Sequence, residues 1–277
     1  MTRIFRLTAL LAVLTIISAQ APAADSLWIE IDSGLQYAQF PVSPPSTTGE
    51  SRIDIIRIDP HLYSLEILMI SETGAYSLTA EEWCRQYELV AAINAGMFQQ
   101  DFRTHVGYLR HHDHVNSSRR VSKYLSAAAA DPIDSTLPPF RIFDLDVISL
   151  DSVKAMYRTV IQNLRLIKHP GRNTWSQQDD LWSEAALGED KDGNILFIFS
   201  RSPYSMYDLN HILLSLPINL VAAQHLEGGP EASLFLSHND HVIRRVGSFE
   251  TKFLPSDSND HFWPLPNVVG IKKLTPQ

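Results

Sequence analysis

Two apolar runs in opposite halves of this chain each end in a polar residue that glycine follows closely. The first run, Ala91–Phe98, reads Ala-Ala-Ile-Asn-Ala-Gly-Met-Phe. The second run, His225–Leu234, reads His-Leu-Glu-Gly-Gly-Pro-Glu-Ala-Ser-Leu. Short apolar runs that end at glycine are typical of buried β-strands. The pattern therefore predicts two strands that present Asn94 and Glu227 at their ends.

The glycines after these strand ends determine what the backbone can do next. Gly96, Gly228 and Gly229 lack a Cβ atom, so they tolerate positive φ and let another segment or a ligand come close. Polar side chains beside bare backbone N–H groups, held on rigid strands, are a common way to build a site. We expect the two turns to be neighbours in space and to share one pocket.

Several further segments have the pattern of strand hairpins. The clearest joins residues 185–188 to residues 195–199 through an Asp-Gly turn. Residues 52–59 and 63–70 are both strand-like and are separated only by a short turn, so we expect them to pair as an antiparallel hairpin.

A few helices and loops lie between these hairpins. Thr79 and Glu82 form a capping-box pattern that starts one helix, and Ser205 caps another. Residues 127–139 are rich in alanine, proline and aspartate, and we expect them to be a loop. Hairpins with interspersed helices predict an α+β fold, with a mainly antiparallel sheet in a single domain.

The first 23 residues have the pattern of a secretory signal peptide. Arg3 and Arg6 precede a short apolar run, and Ala21-Pro-Ala23 fits a cleavage site. A membrane anchor is the alternative, but the apolar run is short for a span and no second one follows. We therefore expect residues 24–277 to form the mature domain, exported to the periplasm or the extracellular space without a membrane span.

Charge and cysteine content exclude some classes of protein. The chain has 23 lysine and arginine residues against 31 aspartate and glutamate residues, a net charge of −8. This balance favours neither nucleic acid nor an anionic membrane as a partner. Cys84 is the single cysteine, so no intrachain disulfide can form and a packed core must stabilise the fold.

The two glycine turns and the segments between them resemble the phosphodiester glycosidase family. The Asn94-Ala-Gly-Met-Phe turn is similar to the family's Asn-Gly-Gly-Phe-Phe or Asn-Ala-Gly-Met-Tyr turn. Leu226–Ser233 is similar to its Leu-Asp-Gly-Gly-Gly-Ser segment, and the order of the segments matches over residues 52–274. The resemblance implies a glycosidase that releases a sugar from a phosphodiester and needs no cofactor.

The resemblance also implies roles for individual residues. It makes Glu227 the catalytic carboxylate, as nucleophile or general base, with Asn94 beside it. The expected substrate contacts are made by Gly96, Arg165, Gly228, Gly229, Glu184 and His105. Two departures change the site, because Glu227 replaces an aspartate and Glu184 stands where the family often has arginine.

The residues alone leave structural roles open for the same side chains. Glu227 could simply fix the Gly-Gly turn, and Asn94 could be a turn residue. Arg165 lies in an apolar run, which fits either a guanidinium that faces a ligand or an ordinary ion pair. Glu184 and Glu231 compete for the place of a second carboxylate, and a solvated surface position is open to each.

A group of histidines suggests a metal site as an alternative. His105 precedes a run of four residues, His111, His112, Asp113 and His114, and histidine and aspartate are good zinc ligands. The run falls at an expected hairpin tip, where successive side chains point in opposite directions. We therefore expect no metal in the site, while a divalent ion stays an open alternative.

Three hypotheses for the function follow. The first is an exported hydrolase that cleaves the glycosidic bond of a sugar-1-phosphodiester in an envelope polysaccharide or glycoconjugate. The second is a non-catalytic module that binds glycans or phosphosugars on the same fold, where tryptophans stack on sugar rings. The third is a metal-dependent phosphodiesterase that uses the residues from His105 to His114. The first is favoured because both glycine turns support it.

Overall fold

Apolar strands separated by polar turns pair into three sheets within residues 27–275, the part of the chain that the computed structural model describes. All pairings between these strands are antiparallel. The expected leader, residues 1–23, lies outside the described part. None of the helices described is long and apolar enough for a membrane crossing.

The first sheet has eight strands and carries the second glycine turn. In order of pairing they are β1 (Ile29–Asp32), β2 (Leu35–Pro41), β3 (Arg52–Ile58), β14 (Ile195–Tyr204), β13 (Trp182–Asp190), β15 (Leu220–Gly228), β11 (Arg165–Lys168) and β12 (Arg172–Asn173). The hairpin of β13 and β14 confirms the expected Asp-Gly turn. These strands are almost completely buried because both faces of the sheet are covered.

The second sheet has five strands and corrects one sequence expectation. In order of pairing they are β7 (His114–Ser117), β6 (Leu109–His111), β10 (Tyr157–Asn163), β8 (Ser126–Pro132) and β9 (Phe140–Asp144). The loop expected at residues 127–139 is confirmed for residues 133–139 but is wrong for residues 127–132, because Ala127–Ala130 form the buried centre of β8. Alanine has little strand propensity of its own, but burial between two neighbouring strands decides the outcome.

The third sheet also has five strands and carries the first glycine turn. In order of pairing they are β17 (His241–Val246), β16 (Ser233–His238), β5 (Ala91–Asn94), β18 (Asn267–Lys273) and β4 (Tyr63–Met69). The hairpin expected between residues 52–59 and 63–70 is wrong, because β3 and β4 belong to different sheets. Each strand buries its apolar side chains against partners that are distant in sequence, which a local pattern does not show.

Four α-helices pack against the strands in the described part of the chain. They are α1 (Ile70–Thr73), α2 (Ala80–Tyr87), α3 (Leu150–Met156) and α4 (Met206–Ser215). Thr79 and Glu82 make the expected capping box at the start of α2. Ser205 caps α4 by accepting the N–H of Asp208. Cys84 lies on the buried face of α2, in an apolar cluster with Trp83.

The main core lies where the three sheets meet. Its largest cluster takes side chains from all three, among them Phe197 and Leu226 of the first, Ile161 of the second, and Ile93 and Val269 of the third. A second cluster fills the space between α4 and the opposite face of the first sheet. The expected α+β fold, mainly antiparallel and with a single domain, is confirmed.

Candidate functional site

A cavity of about 760 Å³ opens where β15 ends. The end of β15 supplies Glu227 and Gly228 to its wall, and the following turn supplies Pro230 and Glu231. Six aromatic side chains also line it: Phe98, Tyr124, Trp175, Trp182, Phe253 and Trp263. Sites for uncharged organic groups have this character, with apolar walls and a few polar groups.

Asn94 joins the two glycine turns directly. Its side chain is 2% exposed, and Nδ2 donates to the carbonyl of Glu231 at 2.9 Å. Its Oδ1 accepts the N–H of Ser233 at 2.7 Å. The two turns are therefore neighbours, as their sequences suggest, and both polar ends of the Asn94 amide bind backbone groups of the second turn.

Gly96 lies against two buried polar side chains. Its φ is +143°, and a Cβ atom there would lie 2.4 Å from Nε2 of His105 and 2.5 Å from Oδ1 of Asn163. His105 is fully buried, and its Nδ1 accepts the N–H of Gly107 at 3.0 Å. Burial lowers the pKa of His105 to about 4. This neutral imidazole packs against Gly96 in the first turn and does not line the cavity.

A carboxylate and a histidine form a buried pair beneath the cavity. Oε1 of Glu184, on β13, lies 2.7 Å from Nδ1 of His225, on β15. Glu184 is 1% exposed and His225 is 5% exposed. Burial acts to lower the pKa of His225, but the nearby Glu184 carboxylate outweighs it and raises that pKa. The pair therefore favours a positively charged imidazole in the cavity wall.

Glu227 lies two residues beyond His225 on the same strand and is half-buried in the cavity wall. Its Oε1 accepts the N–H of Gly228 at 3.1 Å. Burial raises the pKa of Glu227 to about 8, with further increase from Glu231 and Glu184 and opposition from His225. A carboxyl group with this pKa is mostly protonated at neutral pH and can donate a proton.

Two more carboxylates line the cavity. Burial and the charge of Glu250 raise the pKa of Glu231. Glu250 accepts the indole N–H of Trp182 at 3.4 Å. Among the described residues that line the cavity there is no lysine or arginine. Among these lining side chains, His225 is therefore the one that can carry a positive charge.

Arg165 lies in an ion-pair cluster outside the lining of the cavity. Its guanidinium is 3.1 Å from Asp144 and 2.8 Å from Asp146, and its side chain is 8% exposed. These are the partners of a structural ion pair, one of the two roles that the sequence left open. The backbone carbonyl of Arg165 accepts the indole N–H of Trp175 at 2.7 Å, which orients this cavity-lining ring.

The histidine run is divided among several partners. His105 is buried beside Gly96, and Nε2 of His114 lies 2.9 Å from the hydroxyl of Ser71. Within residues 27–275, the one group of three metal-ligating side chains combines His111 and His112 with Asp131. None of these residues lines the cavity. The histidine run therefore supplies no side chain to the cavity.

His225 and Glu250 line the cavity, although neither was predicted as a site residue. His225 had a local signal, because side chains two residues apart on a strand point to the same face, and Glu227 follows at that spacing. Glu250 had none, since it lies in an irregular segment after β17 and reaches the cavity only through the tertiary fold.

Comparison with known proteins gives one family and several similar folds. The sequence profile described as phosphodiester glycosidase matches residues 87–272. A hypothetical protein from Synechocystis is 15% identical with a TM-score of 0.61, over 88% of this chain and 63% of that one. A second structure is the catalytic domain of the zebrafish N-acetylglucosamine-1-phosphodiester alpha-N-acetylglucosaminidase, auto-inhibited by its pro-peptide. It is 14% identical to this chain.

That zebrafish structure has a TM-score of 0.59 and aligns over 87% of this chain and 84% of its own. This chain spans less than two thirds of the Synechocystis protein. No curated protein matches the sequence. At these identities the structural similarity establishes the fold, and the profile match establishes the family.

Proposed function

Because this chain belongs to the phosphodiester glycosidase family, we propose that it hydrolyses the bond between a sugar and the phosphodiester attached at its C1. The substrate class that we favour is an envelope polysaccharide or a related glycoconjugate, reached after export. The observation that carries the proposal is Glu227, whose protonated carboxyl lies in an aromatic cavity above the Glu184–His225 pair.

The sugar ring would stack on the aromatic walls of the cavity, with the scissile bond near Glu227. Protonated Glu227 donates to the leaving oxygen as the C1–O bond breaks, which makes it a general acid in place of the nucleophile or base first expected. Water attacks C1 and gives its proton to Glu231 or Glu250. These carboxylates also stabilise the positive charge that develops on the sugar.

The charged phosphate is the harder part of such a substrate to accommodate. A protonated Glu227 adds no repulsion, and a protonated His225 attracts the anion. Burial of Glu184 under His225 keeps this imidazolium close to the ligand. Glu184 stands where arginine is common in the family, and it does not line the cavity itself. Its negative charge therefore affects the ligand through the protonation of His225.

The first test is hydrolysis of a panel of sugar-1-phosphodiesters and UDP-sugars by the wild type and Glu227→Gln. We expect the variant to lose turnover by about 100-fold or more, because it has no proton to donate. Glu30→Gln, on the edge strand β1, is the matched control and should retain full activity. EDTA should have no effect. Wild-type turnover that Glu227→Gln retains would remove Glu227 from this role.

A non-catalytic binding module is the second candidate. It is favoured by one observation, that carboxylates outnumber cations in the cavity while aromatic rings suit sugars. It predicts saturable binding of a sugar or phosphosugar, measured by calorimetry, with no product after prolonged incubation. Any turnover that disappears in Glu227→Gln excludes it.

A further inference from the structure

A group of side chains that could bind a metal ion lies away from the cavity, at the tip of the β6–β7 hairpin. Nε2 of His112 lies 3.2 Å from Oδ2 of Asp131, on β8. His111, His112 and Asp131 each offer one ligand atom, and these atoms lie within 4.8 Å of one another. Zinc ligands lie about 2.0–2.2 Å from the ion, so two ligand atoms of a tetrahedral site are a little more than 3 Å apart. The distance between His112 and Asp131 is close to this value.

His111 is oriented as a metal-binding histidine often is. Its Nδ1 lies 3.1 Å from one carboxylate oxygen of Glu72 and 3.3 Å from the other. Its Nε2 is buried and has no hydrogen-bond partner, with Oε2 of Glu66 3.8 Å away. A carboxylate that holds one ring nitrogen fixes the other for coordination. Glu72 thus holds His111 from outside the group of three ligands.

The backbone at two of these residues is strained. His112 has a φ of 50° and Asp131 has a φ of 55°, both in the left-handed region. At Asp131 this conformation occurs within a strand, where it departs from the regular extended form. Thr159 donates its hydroxyl to the Asp131 carboxylate and holds it in place. Such strain often occurs where a side chain must be aimed at a ligand.

We propose that His111, His112 and Asp131 bind one divalent ion of the zinc class. Two imidazoles and a carboxylate suit zinc, cobalt or nickel, whereas magnesium and calcium prefer sites made wholly of oxygen. The ion joins the tip of the β6–β7 hairpin to β8, and His111 connects it to α1 through Glu72. It is a structural ion, distinct from the cavity and from glycosidic cleavage.

The test is calorimetric titration of the chelator-treated protein with ZnCl₂, with MgCl₂ in a parallel arm. His112→Asn and Asp131→Asn remove one ligand each, and asparagine tolerates the left-handed backbone that both positions require. His261→Asn is the matched control, because His261 is an exposed histidine beside an aspartate, 3.1 Å from Asp260. Circular dichroism confirms that each variant is folded.

We expect one zinc ion per chain in the wild type and in His261→Asn, and no saturable response to magnesium. Zinc should raise the melting temperature of these two proteins and leave that of His112→Asn and Asp131→Asn unchanged. Cobalt should give visible d–d absorption that both cluster variants lose. Absence of saturable zinc binding, or binding that survives in both cluster variants, would overturn the proposal.

Discussion

Glu227 is a carboxyl group whose environment keeps its proton at neutral pH. Desolvation at the end of β15 raises its pKa to about 8, and Glu231 and Glu184 act in the same direction. The Gly228 N–H and His225 oppose this shift without reversing it. In the proposed mechanism this proton goes to the leaving oxygen, so the environment of Glu227 determines its role.

The pH dependence of kcat/KM tests this assignment. The proton donor is present below the folded pKa of Glu227 and is lost as the pH rises through about 8. We therefore expect the rate to fall above pH 8, by about tenfold per pH unit, with a limb that Glu227→Gln lacks. An enzyme whose rate rises from pH 7 to pH 9 would require Glu227 to act as a base or nucleophile.

Glu184 is expected to act through His225. In Glu184→Gln the imidazole loses the anion that raises its pKa, so the pKa of His225 should fall and the cavity should lose its positive charge. We expect a decrease in kcat/KM of about 10-fold to 100-fold at pH 7. NMR titration of His225 in the wild type and in Glu184→Gln measures the shift. An unchanged His225 titration would show that the pair is not coupled.

At the scale of elements, the two glycine turns are held by different supports. In the first turn, Gly96 packs against the side chains of His105 and Asn163. The second turn is held by its backbone hydrogen bonds to the amide of Asn94. The sequence predicted both strands, both turns and their proximity, because apolar runs ending in glycine are local signals. The sequence could not predict that both polar atoms of the Asn94 amide bind backbone groups. These bonds depend on the positions of Glu231 and Ser233 in the folded protein.

Gly96→Ala tests the support of the first turn. A Cβ at this position would meet two buried polar side chains within 2.5 Å, at a φ of +143° that other residues rarely adopt. We expect a loss of about 2–4 kcal/mol in the free energy of unfolding, measured with urea.

Gly193→Ala is the matched control for that experiment. Gly193 also has a positive φ, +85°, but its Cβ would meet nothing within 4 Å. Gly193→Ala should lower the free energy of unfolding by about 1 kcal/mol, because only the backbone conformation is unfavourable there. Equal losses in the two variants would show that the contacts with His105 and Asn163 are not tight.

For the whole molecule, the sequence predicted the class of fold and the family but not the division into three sheets. The hairpin expected from β3 and β4 failed because β3 pairs with β2 and β14, whereas β4 pairs with β18 in another sheet. The first half of the loop expected at residues 127–139 failed because burial makes a strand of alanines with little strand propensity. The starts of α2 and α4 were predicted, since caps such as Thr79 and Ser205 act within one turn. Export and the mature boundary at Ala24 stay predictions.

The position of β5 has a consequence for how this protein is made. Its two neighbours, β16 and β18, and the backbone groups that hold Asn94 all lie far along the chain, from Glu231 onward. Asn94 and Glu231 are 137 positions apart. A nascent polypeptide therefore has no partner for this strand until residues 231–273 have been synthesised, and the cavity cannot form before then. Closure of the third sheet around β5 is thus a late step, which waits for a segment made long after the strand itself.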